Sequence, residues 1–434
     1  MPSTLIKTHR STLIKVGNTL LGSLLNQSEP PDAAPTGLAL TVQDRTDIKL
    51  DWTDNATNED GYKIERSLNG VDFTVIDTVV ADTETYTDAD LDEDTQYYYR
   101  VRAYKGEEYS DYTDIENETT GSTAFKITVD TTEAGSASDT FVLPLYNGET
   151  YDFHVNWGDG NEEDVSSSAI DSKSHTYASS GTYQIAITGT FPRIYFNNTG
   201  DKLKLISIDN WGTISWSSMV TAFLGCKNVG GNYEDAPNLS NVTSCYWMMY
   251  LCISFNKSVN SFDTSNIQNM DRMFMQCFQL KTSFSNFNIE SCTNLSLFLE
   301  YCDINETGTT ANYDDTLISW AAQTVNSGLS PNFGSTKYGQ GKVDEGTTDG
   351  TTANKLVDSS QNFNTTVTVG DVIHNTTDGT YARVTAIDSD TTLSLDNDIM
   401  VSGEAYVIQH SDAAKARASL ILDDGWTITD GGAA

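Results

Sequence analysis

Four cysteines, Cys226, Cys252, Cys277 and Cys302, stand 26, 25 and 25 residues apart, and the residues around them keep the same step. Three positions before each stands a large apolar residue: Phe223, Met249, Phe274 and Leu299. Ten positions before stand Trp216, Val242, Ile267 and Cys292. Three positions after come Val229, Phe255 and Leu280, and the last unit departs from the pattern at Asn305. A fixed period of this length with several apolar columns predicts stacked repeats, because one unit buries its apolar face only against the next. The cysteine column then reads as a buried ladder of small apolar thiols. Zinc needs paired Cys or His at close spacing, which this column lacks. Disulfides along the ladder are not required, and Cys245 and Cys292, which lie off it, are expected to be free.

Two phrases in this region carry a resemblance. Residues 262–270 read Phe-Asp-Thr-Ser-Asn-Ile-Gln-Asn-Met and residues 272–277 read Arg-Met-Phe-Met-Gln-Cys. They resemble the BspA-like leucine-rich-repeat surface proteins, in which a Thr-Ser-Asn-Val…Met…Met-Phe…Cys unit recurs. Many of those are bacterial adhesins, so the resemblance implies a solenoid that binds. The column residues are expected in the core. The ligand-facing candidates lie between columns: Tyr246, Trp247, Asn256, Lys257 and Gln279.

Before the repeat, residues 35–121 alternate apolar and polar, as half-buried strands do, in the stretches 48–52, 61–66 and 96–104. Trp52 on an early strand and the run from Leu91 to Ala103 resemble a fibronectin type III sandwich. In that family a tyrosine placed like Tyr97 ties a strand start back to the backbone. Residues 122–200 carry Val-Asn-Trp-Gly-Asp-Gly at 155–160, His-Thr-Tyr at 175–177 and Gly-Thr-Tyr at 181–183. These resemble the polycystic-kidney-disease-type (PKD) sandwich. Asp159 and His175 are expected as a turn acid and its hydrogen-bonded strand histidine, not as a catalytic pair.

The ends complete the plan. Residues 313–322 have apolar groups at helical spacing and read as a capping helix for a solenoid of 201–339. Residues 340–410 read as an inserted small β module, with phrases at 369–373 and 375–379 that resemble domains of bacteriophage tail and fibre proteins. Residues 411–434 read as a helix and strand that close the solenoid. Residues 1–34 are an arm and a Pro-rich linker. The arm repeats Ser-Thr-Leu-Ile-Lys at 3–7 and 11–15 and suggests a helix or an interface segment. Leu5, Ile6, Lys7, Arg10, Leu13, Ile14, Lys15, Leu20 and Leu21 are its expected docking residues. The fold class expected is therefore mainly β and multidomain.

Charge narrows the partners. With 61 acidic against 25 basic residues, the net charge is −36, which repels nucleic-acid phosphates and anionic lipid. No apolar run is long enough to span a membrane. Thr12 to Leu25 is the one signal-peptide candidate; Lys15, Gly17, Asn18 and Gly22 interrupt it and no small-x-small site follows, so no cleaved leader is expected. The five histidines form no metal-protease pattern, and neither a nucleophile elbow nor a phosphate loop is present. No enzyme and no cofactor are expected. Calcium is the one ion to consider, at the Asp-rich stretch 88–94, which lacks the full ligand spacing. The expectation is a bacteriophage virion surface protein, a head or tail fibre or decoration subunit and a homo-oligomer. Its arm docks on other virion proteins, and its modules meet host glycans or proteins. The alternative is a secreted or cell-surface bacterial adhesin.

Overall fold

The computed structural model describes residues 29–43 and 46–434, and of residues 1–28 only the backbone of three strands. The chain is mainly β, with 33% strand and 6% helix. It divides into two compact units, 1–123 and 124–434.

In the first unit the arm forms β1 (Ile6–Thr8), β2 (Ser11–Val16) and β3 (Thr19–Leu24), an antiparallel meander. The helix considered from the leucine spacing is not what forms. Ile14, Val16, Thr12 and Thr19 are β-branched, and such side chains suit a pleated strand better than a helical turn.

The sandwich that follows has two sheets. One holds β4 (Thr36–Val42), β5 (Ile48–Thr53) and β8 (Thr85–Asp88). The other runs β10-β9-β6-β7 and is built from β6 (Gly61–Ser67), β7 (Thr74–Val80), β9 (Gln96–Lys105) and β10 (Glu108–Tyr109). Strand β11 (Glu116–Thr119) pairs β9 beyond β10. Alternation decides which residues meet between the sheets: Ile48, Leu50 and Trp52 from one, Tyr62, Ile64, Tyr97, Tyr99 and Val101 from the other. The Tyr97 hydroxyl accepts the Asp92 N–H at 3.0 Å and so closes the corner before β9.

The second unit opens with a sandwich whose larger sheet has the order β15-β14-β17-β12-β18-β19. Its strands are β12 (Phe125–Asp130), β14 (Tyr151–Asn156), β15 (Glu162–Ser167), β17 (Thr182–Thr190), β18 (Leu205–Asn210) and β19 (Gly230–Gly231). The smaller sheet pairs β13 (Thr140–Pro144) with β16 (Ser172–Thr176). Because β18 lies past residue 200 and pairs both β12 and, in parallel, β19, the sheet runs on into the repeat. One core follows, continuous from Phe125 to Trp426.

The repeat is a stack of coils joined by parallel hydrogen bonds about one period apart. Thr221 N–H bonds Tyr246 O (2.9 Å), Trp247 bonds Asp271 (3.1 Å) and Arg272 bonds Ser296 (2.9 Å). Neighbouring coils are therefore spaced like strands, roughly 4.8 Å apart. All four residues of the Cys−3 column and all four of the Cys−10 column are buried. Asn305, where the pattern breaks, is also buried, and it marks the end of the stack. Its carboxamide accepts the Tyr313 N–H (3.1 Å) and donates to Lys337 O (2.7 Å), satisfying a first-turn N–H of helix α1 (Ala311–Ala321).

Helix α1 packs on helix α3 (Asp412–Leu422). Between them lies a six-stranded sheet, order β20-β25-β22-β23-β24-β21, with its own core around Phe363, Ile373, Leu393 and Ile408. Its elements are β20 (Lys342–Thr347), β21 (Lys355–Val357), the one-turn α2 (Phe363–Thr366), β22 (Val372–Asn375), β23 (Thr380–Ser389), β24 (Thr392–Leu395) and β25 (Ala405–Gln409). A buried ion pair locks the closure. Arg417 Nε meets Asp430 Oδ2 at 2.8 Å, with side chains 7% and 3% exposed, and the Tyr313 hydroxyl donates to the same oxygen at 2.9 Å.

Candidate functional site

The cysteine column fixes how the coils face solvent. Each column thiol after the first donates to the carbonyl three residues before the previous cysteine. Cys252 reaches Phe223 O (3.1 Å), Cys277 reaches Met249 O (3.1 Å) and Cys302 reaches Phe274 O (3.2 Å). Those carbonyls also take the N–H of the cysteine in their own coil. A small side chain with an apolar body and one donor is what this position asks for, and cysteine supplies it. All six thiols are free and buried. Burial pushes them up, well above the usual range for Cys226, Cys252 and Cys277, to about 12 for Cys245 and Cys302 and to about 11 for Cys292. They are structural and inert.

Between the columns the backbone turns sharply. Thr221, Trp247, Arg272 and Leu297 all have φ near +55°, as do Leu251, Gln276 and Tyr301 near +60° to +67°. The spacing that defines the cysteines also places Arg272 one coil beyond Trp247. The Tyr246 and Trp247 rings stack at 4.9 Å, Tyr250 meets Trp247 edge-on at 5.5 Å, and the Arg272 guanidinium lies 5.8 Å from the Trp247 ring centroid. Arg272 also pairs with Asp271 at 2.6 Å. Burial pushes the Asp271 carboxyl above the usual carboxylate range, against the pull of Arg272. Two polar atoms of this cluster, Trp247 Nε1 and Asp271 Oδ1, are covered and without a hydrogen-bond partner. Local conflicts of this kind concentrate at functional surfaces. Farther along, Phe278 and Tyr301 are 48% and 59% exposed.

The stretch of sequence that carries the cluster is balanced in charge. From residue 236 to 299 the acids are Asp263, Asp271 and Glu290 and the bases are Lys257, Arg272 and Lys281, a balance of zero within a chain of −36. Of the expected ligand-facing residues, Tyr246 and Trp247 form this cluster together. Lys257 does not join it: its ammonium pairs with Glu234 at 2.6 Å and sits 5.7 Å from the Tyr233 ring centroid. Asn256 and Gln279 are exposed elsewhere on the coils. Tyr250, Asp271 and Arg272 were not among the expected residues, although extending the 25-residue step from Trp247 leads to Arg272. The side chains of the arm residues, Leu5 to Leu21, lie outside the described residues.

Other clusters are occupied by structural work. His175 Nε2 meets Asp159 Oδ2 at 2.9 Å, stacks on Trp157 at 4.9 Å and abuts Tyr177. Although burial opposes it, hydrogen bonds from His175 and Asn161 hold Asp159 below the usual carboxylate range. At the stretch considered for calcium, Asp88 is buried and taken by Arg66 (2.8 Å) and by the Tyr99 hydroxyl (2.9 Å). A group of three carboxylates with oxygens within 4.8 Å is Asp54, Glu59 and Asp82, and there Asp54 accepts the Tyr62 hydroxyl. Among the described residues no helix is long and apolar enough to cross a membrane.

Comparison with known proteins bears on two segments. The fibronectin type III family matches residues 33–116. The family described as "Mycoplasma protein of unknown function, DUF285" matches residues 193–313. No curated protein matches the chain. Solved structures similar to it include the sixth fibronectin type III domain of human fibronectin type III domain containing protein 3 (20% identity, 22% of this chain and 89% of that one, TM-score 0.19). A Fn3-like protein from Clostridium thermocellum (27%, 20% and 92%, 0.19) and the fn3 domain of human contactin 1 (18%, 25% and 92%, 0.21) are others. Residues 33–116 thus match the fibronectin type III family, ahead of a segment similar to a mycoplasma family.

Proposed function

We propose that this chain is a non-enzymatic surface protein of a bacteriophage virion, a head or tail fibre or decoration subunit. Residues 1–28 dock it on neighbouring virion proteins, and the coil face meets host surface glycans or proteins. In this reading the second sandwich is PKD-like and the coils are a BspA-like leucine-rich-repeat solenoid. The observation that carries it is the aromatic cluster of Tyr246, Trp247 and Tyr250 with Arg272 on an otherwise strongly acidic chain. An interface core is typically aromatic- and Arg-rich and poor in acids. The bulk acidity keeps the remaining surface soluble and free of nucleic acid.

The second reading is a secreted or cell-surface bacterial adhesin of the BspA-like type with the same binding face, and the match to a bacterial family, itself of unknown function, is compatible with it. Mass spectrometry of the native source, split into purified virus particles and cell envelope, separates the two. The intact chain in particles supports the virion reading. The chain found only in the envelope overturns it in favour of the adhesin.

A further inference from the structure

A second concave site lies at the junction of sandwich and coils. A cleft of about 410 Å³ opens beside β13, and its lining includes Pro144, Tyr146, Asn147, Asp171, Ser172 and Tyr195. We infer that this cleft binds a neutral pyranose residue of a glycan. The inference rests on the surface-binding reading above and gives it a separate site and a ligand class.

The two tyrosines are the cleft's aromatic wall. Their rings meet edge-on at 5.0 Å and 75°. The guanidinium of Arg193 sits 3.8 Å from the Tyr146 centroid and 4.7 Å from that of Tyr195. Arg193 is only 9% exposed and does not line the cleft, so it supports the rings from behind. Its Nη2 is tied to Val220 O at 3.2 Å, on the first coil. The hydroxyl of Tyr151, itself fully buried, accepts the Tyr146 N–H (2.9 Å) and donates to Arg193 O (2.8 Å). One phenol therefore holds both wall-bearing segments in register, and the rings are ordered before a ligand arrives. Preorganisation of that kind removes much of the cost of binding a weakly held ligand.

The chemistry of the lining selects the ligand. A pyranose offers a C–H face to an aromatic ring and hydroxyls that both donate and accept. The cleft's lining offers the two rings together with a carboxylate, a carboxamide and a hydroxyl, at Asp171, Asn147 and Ser172. Among the described residues that line it there is no Lys or Arg, and Asp201 and Asp171 are both present. Asp201 is already committed to Ser136 N–H (2.6 Å), Ser136 Oγ (2.7 Å) and Val142 N–H (2.7 Å), which leaves the exposed Asp171, whose Oδ1 takes the Ser172 hydroxyl at 3.2 Å, to accept a sugar hydroxyl through Oδ2. A uronic or sialic acid would place like charges together, so neutral sugars are selected.

The test is saturation-transfer NMR of the full chain with chitotriose, cellotriose and mannotriose, and with trigalacturonate as the anionic control. At least one neutral trisaccharide is expected to bind, and trigalacturonate is not. Tyr195→Ala should weaken binding about tenfold, the loss of one aromatic contact. Asp171→Asn, on the exposed rim where folding is not at stake, should weaken it severalfold. Tyr151→Phe should weaken it without changing which sugar is preferred, as a positioning residue does. Val369→Ala, at an exposed position of the inserted β module, should leave it unchanged. The inference is overturned if none of the neutral trisaccharides binds, or if Tyr195→Ala and Asp171→Asn are both silent. Loss of sugar binding in Tyr246→Ala alone also overturns it, while leaving the surface-binding reading in place.

Discussion

The thiol of Cys277 donates to the carbonyl oxygen of Met249, 3.1 Å away and one coil earlier, and the same relationship recurs at Cys252 and Cys302. The ladder is thus a hydrogen-bonded feature as well as an apolar one. Replacing Cys277 by alanine removes both the donor and the sulfur's packing, and should cost about 1–2 kcal/mol in urea unfolding of the second unit. Cys277→Ser keeps a donor and should unfold at a midpoint no lower than the alanine variant. A serine variant clearly less stable than alanine would show that the thiol acts by packing alone.

Because burial raises every thiol, thiolate is scarce and shielded in the folded chain. A colorimetric thiol reagent at pH 8 should find none of the six cysteines quickly. In guanidinium it should find six per chain. Rapid native labelling would contradict their place in the core.

The left-handed turns make another prediction. Gln276 has φ +60° and is half-buried, a conformation that costs an ordinary side chain about 1–2 kcal/mol. Gln276→Val adds β-branching and should lower stability by about that amount. Gln276→Gly should be near neutral, because relief of strain offsets the extra freedom of the unfolded chain. Thermal melting of the two variants side by side is the check.

Arg417 and Asp430 test the closure. Removing one partner of a buried pair leaves the other charge uncompensated, a loss of about 3–5 kcal/mol. Arg417→Met and Asp430→Asn should each destabilise strongly, and Asp430→Asn also weakens the bond from Tyr313. The double variant should lose less than the sum of the two. Additive losses would argue that the pair is not coupled.

Acid should weaken the second unit through His374. Its ring stacks on Tyr381 at 4.5 Å, and burial, with a smaller effect from the Arg417 charge, holds it below the ordinary value of 6.5. In the window between that lowered value and 6.5 the unfolded chain binds more protons, so stability rises with pH there and is lost as pH falls from 6.5. The unfolding midpoint should therefore be lower at pH 5 than at pH 7, and His374→Phe should flatten that slope. An unchanged slope in the variant would assign the acid sensitivity to other groups.

Much of this fold was legible where neighbours in sequence are neighbours in function. The strand alternation of 48–52 and 96–104 maps directly onto the core of the first sandwich, because a period of two leaves no choice of face. The repeat columns were legible for the same reason: each coil must bury the same positions. What the sequence hides is pairing across distance. Lys204 is fully buried, its ammonium held by Ser136 O, Ser136 Oγ, Ala137 O and Thr140 O at 2.7–3.2 Å, more than 60 residues away. No local pattern announces that. The left-handed column was hidden too, since Thr221, Trp247, Arg272 and Leu297 share a backbone shape and no side-chain chemistry. The arm misled because spaced leucines fit a helix and a strand alike.

The most direct test of the account is binding of the labelled full chain to cells of the host in its native source, compared with a Tyr246→Ala/Arg272→Ala variant whose melting is unchanged. The account predicts that the variant loses at least about tenfold in apparent affinity, since stacked aromatic and arginine contacts carry such interfaces. Equal binding by both chains would contradict it and move the recognition surface off the coil face.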